Sequence, residues 1–362
     1  MRLVAVALLA AHCTAEPPPL PEQGTLGEIG SMTEARAAHT ATLLPDGRVL
    51  LTGGTASSEV GTAELYDPAA RRFSKTGSMA AARADHRATL LPDGKVLITG
   101  GYNGSHLSDT EVYDPRTGRF ASGPAMTEAR SGHAAVSLAG GSVLIAGGVG
   151  GTATEWVFRA SAELYDPAAG RFTAVSSMSA PRESHTATLL PGGEVLITGG
   201  HAGRHADIVI YASAELYDPV SRSFRSTGAM ARIRHKHDAV LLADGRVLVA
   251  GGADARDDRG QYRDTEIYSA GVFHPGPEMI FDRYKHNGTS TPLGDGRILL
   301  AGGAARPEIY DPAAAGFRPV GGAAMMLGSF SAATRLADGS VLVTGGYGQG
   351  RGATAQAWLF RP

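Results

Sequence analysis

Short apolar runs alternate with turn-forming residues along the chain, and the same arrangement returns about every fifty residues. In the first copy, residues 39–44 and 48–52 are two runs rich in leucine, valine and threonine on either side of a Pro-Asp-Gly turn. A turn of this composition between two such runs predicts an antiparallel hairpin. A Gly-Gly pair follows at residues 53–54, where positive φ and close approach of neighbouring backbone favour glycine.

The second half of each copy predicts two more strands. Residues 63–66 form a third short run, and an Asp-Pro turn at residues 67–68 leads to a fourth run around Phe73. Four antiparallel strands in one repeated unit are typical of a propeller blade. The chain is therefore predicted to be all-β.

The Gly-Gly pairs give the number of copies. Seven pairs occur, at Gly53-Gly54, Gly100-Gly101, Gly147-Gly148, Gly199-Gly200, Gly251-Gly252, Gly302-Gly303 and Gly345-Gly346. The predicted fold is a single seven-bladed β-propeller over residues 24–362. Its predicted blades are residues 31–77, 78–124, 125–176, 177–228, 229–275, 276–322 and 323–362, the last completed by residues 24–30.

The two ends of the repeat array predict how the ring closes. The seventh copy ends where its third strand should lie, so it lacks a fourth strand. Leu26 stands as far before Met32 as Phe73 stands before Met79, which places a spare outer strand at residues 25–30. This strand is predicted to complete blade seven, because closure removes the exposed edges of an open array.

The first residues predict export. Residues 1–15 combine Arg2, a short apolar run and small residues at 13–15, as in a secretory signal peptide, and residues 16–23 are a proline-rich spacer. Cys13, the single cysteine, is a candidate for lipidation; the alternative is simple cleavage after Ala15. We expect an extracytoplasmic protein that is secreted, periplasmic or lipid-anchored at the cell surface, with no membrane-spanning helix in the mature chain.

Charge and composition narrow the class of partner. The formal net charge is −2 and the isoelectric point is near 6.6, so no nucleic acid partner is expected, because phosphate binding needs a clustered basic face. The 49 glycines and 6% aromatic residues fit many short strands joined by tight turns.

The repeated marks carry a family resemblance. Paired glycines after a strand, a tyrosine such as Tyr66 about a dozen residues later and an aromatic such as Phe73 beyond it resemble kelch repeats. With Arg-x-x-His before the first strand and Pro-Asp-Gly in the hairpin, the copies resemble those of secreted bacterial kelch proteins, within the galactose oxidase and kelch propeller superfamily. The resemblance implies the propeller fold, but such propellers include binding platforms, sugar-processing enzymes and copper oxidases. The copper-radical oxidases need a cysteine linked to a tyrosine, which the mature chain lacks.

One face of the predicted disk holds the Arg-x-x-His segments and the loops after each Gly-Gly pair. Three consecutive loops are long, at residues 149–161, 201–213 and 253–264, and should form a raised lip. The ligand-binding candidates on this lip are Trp156, Arg159, His201, Arg204, His205, Asp207, Tyr211, Asp257, Arg259 and Tyr262. Aromatic side chains among charges suit sugar or peptide recognition, and the alternative is an ordinary solvated loop surface.

The repeated arginines are candidates for the channel face. They are Arg36, Arg83, Arg130, Arg182, Arg234 and Arg283, and the repeated histidines include His39, His86, His133, His185 and His237. In one interpretation some of these arginines line the channel and meet an acidic ligand. In the other they are required by the fold and satisfy backbone carbonyls between blades.

Metal and cofactor binding have weak signals. Glu278, Asp282 and His286 resemble the iron-ligand motif of the kelch-type specifier proteins, but the repeat itself already explains His286. No metal and no cofactor are therefore expected.

The sequence favours a binding or scaffold module that holds a protein or glycan ligand on the lip. One alternative is a sugar-acting enzyme, an epimerase or lyase with or without a metal, whose site lies at the channel mouth and whose catalytic residues the sequence does not identify. Another alternative is a structural surface protein. The oligomeric state is left open.

Overall fold

The computed structural model describes residues 22–152, 155–322, 328–348 and 352–362. The predicted signal peptide, the lipidation candidate Cys13 and most of the proline-rich spacer lie outside the described residues. No helix in the described part of the chain is long and apolar enough to cross a membrane.

The described residues form seven antiparallel sheets arranged in a ring, as the sequence predicted. Blades one to three are Thr40–Leu43, Val49–Thr52, Ala63–Asp67, Arg72–Lys75; Arg87–Leu90, Val96–Thr99, Thr110–Asp114, Arg119–Ser122; and Ala134–Ser137, Val143–Ala146, Ala162–Asp166, Arg171–Ala174. Blades four to six are Thr186–Leu189, Val195–Thr198, Ala214–Asp218, Ser223–Ser226; Asp238–Leu241, Val247–Ala250, Thr265–Ser269, Val272–Pro275; and Ser290–Pro292, Ile298–Leu300, Glu308–Asp311, Gly316–Pro319. The first strands of neighbouring blades contact one another around the whole ring and form the channel wall.

The core lies between blades. The second strand of every blade is buried along its full length, because both of its faces pack against neighbouring sheets. Leu50 and Leu65 of blade one, for example, pack with Val96 and Ile98 of blade two. Each blade therefore depends on its neighbours for burial, as expected of stacked repeats.

Blade seven is completed by the N-terminal strand, which confirms the predicted closure. Its own strands are Ala332–Arg335, Val341–Thr344 and Gln356–Arg361, and Thr25–Ser31 pairs antiparallel with the last of these, with Leu26 opposite Phe360. The sequence did not predict the two-residue strand Gly321–Gly322, which pairs in parallel with the start of Thr25–Ser31.

The long loops carry structure that the sequence did not predict. In blade three, Val149–Gly151 pairs with Trp156–Phe158, and in blade four, His201–Ala202 pairs with Val209–Ile210. Short 3₁₀ turns lie at His205–Asp207 and Asp257–Arg259.

Asp238 holds the irregular segment that precedes the first strand of blade six. Its carboxylate accepts hydrogen bonds from the backbone N–H groups of Gly288, Thr289 and Ser290 at 2.8–3.0 Å. These donors lie in the irregular segment before the first strand of blade six, so a residue of blade five satisfies backbone that the shortened strand leaves unpaired.

Candidate ligand-binding site

The repeated arginines lie inside the blades and do not line the channel. Each is fully buried, and each guanidinium is ion-paired with a glutamate of the third strand of its own blade. The pairs are Arg36–Glu64, Arg83–Glu111, Arg130–Glu163, Arg182–Glu215, Arg234–Glu266 and Arg283–Glu308. The interpretation in which these arginines line the channel and meet an acidic ligand is therefore wrong. Their side chains are buried inside the blades, and their charge is already neutralised by the glutamates.

Each of these arginines also donates to the carbonyl of the first glycine of its Gly-Gly pair. Arg36 Nη1, for example, lies 2.8 Å from the Gly53 oxygen, and Arg283 Nη1 lies 2.7 Å from the Gly302 oxygen. At the first pair, a Cβ on Gly53 would lie 2.4 Å from the carbonyl oxygen of Arg83 in the next blade. The Arg, Glu and Gly-Gly positions therefore act together to join the blades.

Five of the six repeated histidines, all except His185, link their blade to the one before it through a hydrogen bond of Nε2. His39 Nε2 lies 2.9 Å from Thr344 Oγ1, and His133 Nε2 lies 2.9 Å from Thr99 Oγ1. Burial, followed by the charge of the neighbouring arginine, lowers the pKa of His39 and of His286 to about 3. These imidazoles are consequently neutral at physiological pH.

His286→Gln is expected to flatten the loss of stability in acid. The unfolded chain binds a proton on this imidazole as the pH falls through about 6.5, whereas the folded chain does so only near about 3. Folding therefore loses up to about 1.4 kcal/mol per pH unit at this residue across that window. Glutamine can still donate to the Ala250 carbonyl, which His286 Nε2 contacts at 3.0 Å.

Urea unfolding of both proteins between about pH 7 and pH 4 measures this difference in slope. Burial raises the pKa values of Asp85, Glu183 and Asp238, so these groups make the folded state more stable as the pH falls, opposite to His286. Both proteins contain these three groups, so their effect cancels in the comparison. Parallel stability curves for the two proteins would contradict the prediction.

A closed ring of seven backbone hydrogen bonds surrounds the channel on the face that carries the long loops. Each N–H donates to the carbonyl of the equivalent residue in the preceding blade, at 2.9–3.3 Å. The residues are Ala38, Asp85, Gly132, Ser184, Lys236, Lys285 and Phe330, and all have φ between 51° and 61°. Each of these left-handed residues belongs to an Arg-x-x-His segment or to its equivalent in blade seven. The repeated segment therefore produces the narrow mouth of the channel.

A cluster of polar and aromatic side chains lies beside this mouth, and we call it the rim cluster. Its members are Trp156, Phe158, Glu183, His201, Arg204, His235, Lys236, Asp257 and Tyr284. Four of them, Trp156, His201, Arg204 and Asp257, are among the candidates from the sequence. The rim cluster spans blades three to six, so the long loops do converge on one region.

Arg204 joins the two loop hairpins. Its guanidinium lies 4.5 Å from the ring centre of Trp156 and 5.1 Å from that of Phe158. It also contacts Glu183 Oε2 at 2.5 Å and His201 Nε2 at 2.6 Å. Stacking and charge-assisted hydrogen bonds thus hold this side chain in one orientation.

His201 and His235 extend this hydrogen-bonded chain from Arg204 toward blade five. Because Arg204 donates to His201 Nε2, the neutral imidazole carries its proton on Nδ1 and donates to His235 Nδ1, 3.2 Å away. His235 then carries its proton on Nε2, which faces Asp257 Oδ1 at 3.5 Å. Burial, then neighbouring charges, lowers the pKa of His201 to about 2 and that of His235 to about 4.

Asp257 connects this chain of contacts to the mouth. Lys236 Nζ donates to Asp257 Oδ1 at 3.1 Å and to the Tyr284 hydroxyl at 2.9 Å. Lys236 is itself one of the seven mouth residues. The rim cluster is therefore rigidly tied to the channel opening.

The remaining candidates of the predicted lip lie elsewhere. Arg159 pairs with Glu128 at 2.8 Å, and the rings of Tyr211 and Tyr262 lie under Arg182 and Arg232. Three others, His205, Asp207 and Arg259, are exposed on the 3₁₀ turns.

Sequence reasoning missed Glu183, His235, Lys236 and Tyr284. All four lie between the arginine and the histidine of a repeated segment, and their signal was that residue type varies there from blade to blade. Phe158 was missed because it follows Trp156 in a loop whose hairpin was not predicted.

The weak metal candidates are not brought together. Glu278 is exposed and pairs with Arg263, Asp282 is also exposed, and His286 is buried against the Ala250 carbonyl. Across the described ranges, no three His, Cys, Asp or Glu side chains form a group able to hold a metal ion.

Comparison with known proteins agrees with the repeat. A family model described as the kelch motif matches residues 86–127, which contain blade two. The chain is a seven-bladed β-propeller that carries a kelch motif in blade two. No curated protein sequence matches it.

Among solved structures, the kelch propeller is similar to a fungal alcohol oxidase of the AA5 family, determined in complex with copper. The TM-score is 0.73 at 17% sequence identity, and the match covers 94% of this chain and 76% of the oxidase. At this identity the likeness shows a shared fold, and the fold is consistent with a binding or scaffold role and with enzymes alike.

Two hairpins of the kelch propeller present apolar side chains to solvent beside the rim cluster. Trp156 is 41% exposed, Val157 38% and Val209 54%. Trp156 also meets the ring of His106 from blade two edge-on, at 5.2 Å. The surface that results combines an ordered aromatic group with apolar and charged neighbours.

Proposed function

We propose that this kelch propeller is an exported binding module that holds a protein ligand on its loop face, over the rim cluster and the two hairpins. The observation that carries the proposal is the exposed trio of Trp156, Val157 and Val209, fixed beside the mouth by the stacking of Arg204. Exposed apolar groups next to ordered polar ones are typical of a protein-binding surface.

A protein segment fits this surface better than a glycan does. A glycan site would need several hydrogen-bonding side chains free to meet hydroxyl groups, whereas Arg204, Glu183 and His201 are occupied with one another. Trp156 and the valines offer an apolar anchor, and exposed His205 and Asp207 add polar groups on the 3₁₀ turn just before Val209.

Export rests on the pattern of residues 1–15. The signal peptide and the optional lipid anchor at Cys13 would place the loop face outside the cytoplasm, in a secreted, periplasmic or surface-anchored protein.

Trp156→Ala is expected to weaken peptide binding by at least about thirtyfold, since a central aromatic anchor contributes about 2 kcal/mol or more. The mature protein would be screened on a peptide array and a glycan array, and retained peptides would then be titrated by calorimetry. The matched control is Val220→Ser, because Val220 is 91% exposed in the Asp-Pro turn of blade four, on the opposite face.

The melting temperature of Trp156→Ala should stay within about 2 °C of the native protein, since surface changes usually cost little. Equal binding by Trp156→Ala and the native protein would refute the proposal, as would retention of glycans alone. Chemical conversion of a retained glycan would favour the alternative function, a sugar-acting enzyme. The observation that supports this alternative is that burial raises the pKa of Glu183, as in many catalytic carboxyl groups.

A further inference from the structure

The channel encloses a cavity of about 330 Å³ to which all seven blades contribute. The residue that follows the repeated histidine, or its equivalent in blade seven, lines this cavity in every blade. These residues are Thr40, Arg87, Ala134, Thr186, Asp238, Asn287 and Ala332. Five of the seven are small or neutral, so the two charged ones are not demanded by the repeat.

Asp238 is already satisfied. Its carboxylate accepts from four backbone N–H groups, those of Ala239, Gly288, Thr289 and Ser290, at 2.8–3.0 Å. Its charge is therefore used to hold blade six and is not available as the counter-ion of a neighbouring cation.

Arg87 has no such partner. A guanidinium has five N–H donors, and among the described residues the hydrogen bond of the Arg87 side chain is one from Nη1 to the His86 carbonyl at 3.2 Å. No carboxylate oxygen in the described part of the chain lies within 4.0 Å of its guanidinium nitrogens, so Arg87 forms no ion pair there. Burial lowers the pKa of Arg87, and the more distant Asp85 and Asp238 raise it. An unpaired cation in such a cavity costs stability, and the fold gains nothing visible from it.

We propose that the central cavity is a second binding site, separate from the rim cluster, which takes a small carboxylate through a two-pronged contact with Arg87. The planar guanidinium matches a carboxylate in geometry, and the cavity volume suits a small organic acid. Thr40 and Thr186 line the same cavity, but their hydroxyls are already hydrogen-bonded to Thr52 and Thr198, so Arg87 is the group that holds the ligand.

The charged residues near Arg87 determine which net charge of the ligand the cavity favours. Asp85 and Asp238 both act on Arg87 electrostatically, so a second negative charge on the ligand would be repelled. The site therefore favours monocarboxylates or amino acids over dicarboxylates and over sulfate.

Calorimetry and thermal unfolding of the mature protein with acetate, glycine, malonate and sulfate, at constant ionic strength, test this site. Acetate or glycine should bind and raise the melting temperature, with malonate and sulfate weaker. Arg87→Gln should weaken acetate or glycine binding by at least about tenfold, because a charge-assisted hydrogen bond contributes about 1.5–3 kcal/mol. Arg119→Gln, the same change on the exposed outer strand of blade two, should bind as the native protein does.

A second readout separates binding from a structural role. In carboxylate-free buffer, Arg87→Gln should melt at the native temperature or above it, because it removes an unpaired cation from a cavity. A lower melting temperature would show that Arg87 is needed by the fold and would overturn the proposal. Equal responses of native protein and Arg87→Gln to acetate and glycine, or an equal effect of sulfate, would also overturn it.

Discussion

Glu308→Ala is expected to lower the free energy of unfolding by about 3–5 kcal/mol, the usual cost of removing one partner from a buried ion pair. Glu308 and Arg283 are both fully buried, and Glu308 Oε1 accepts from Arg283 Nε at 3.0 Å and Nη2 at 2.9 Å. Glu308 Oε2 also accepts from the backbone N–H of Ile280 at 2.8 Å. The alanine variant leaves a guanidinium and a backbone donor without their acceptor.

The matched control lies on the same blade. Glu278 pairs with Arg263 at 2.5 Å, but both side chains are about 60% exposed, so Glu278→Ala should cost no more than about 1 kcal/mol. Urea unfolding of the two variants and the native protein measures both losses. Equal losses would mean that burial does not decide the contribution of these pairs and would contradict our account of the blade.

The architecture could be predicted from the sequence because a propeller repeats its requirements. The Gly-Gly pairs gave the number of blades, and the position of Leu26 gave the closure, since both depend on spacing alone. What spacing does not reveal is the direction of a side chain, which is why the repeated arginines could be interpreted as channel-facing.

A signal for the buried pairs was nevertheless present in the chain. Blade seven has Gly328 where other blades have the arginine, and its strand register puts Trp358 where they have the glutamate. Both members of the pair are lost in the same blade, as expected if neither charge is tolerated alone in the core. Comparing copies within one sequence would have shown that arginine and glutamate are partners.

The rim cluster was predicted only in part, for a different reason. Trp156, His201 and Arg204 stood out because they interrupt the repeat, whereas Glu183 and His235 lie within it. Their contact with Arg204 and His201 depends on how two loop hairpins fold toward each other, and no periodicity in the sequence encodes that approach.

Removal of the strand Thr25–Ser31 is expected to cause a still larger loss, of more than about 5 kcal/mol. Loss of a buried leucine alone costs about 2–5 kcal/mol, and Leu26 is 4% exposed in a core with Trp358 and Phe360. The deletion also strips the antiparallel partner from Gln356–Arg361 and leaves an open edge in a ring whose blades depend on one another.

The experiment compares a chain that begins at Glu22 with one that begins at Met32. The first keeps the closing strand and should unfold as the full chain does, while the second should melt far lower and tend to associate through its exposed edge. A synthetic peptide of residues 22–31, added in trans, should restore much of the lost stability, because strand addition supplies both the backbone hydrogen bonds and Leu26. A chain from Met32 with an unchanged melting temperature would show that the ring is stable without the closing strand. A low melting temperature that the peptide does not raise would show that the loss of stability does not come from the pairing of Leu26 with Phe360.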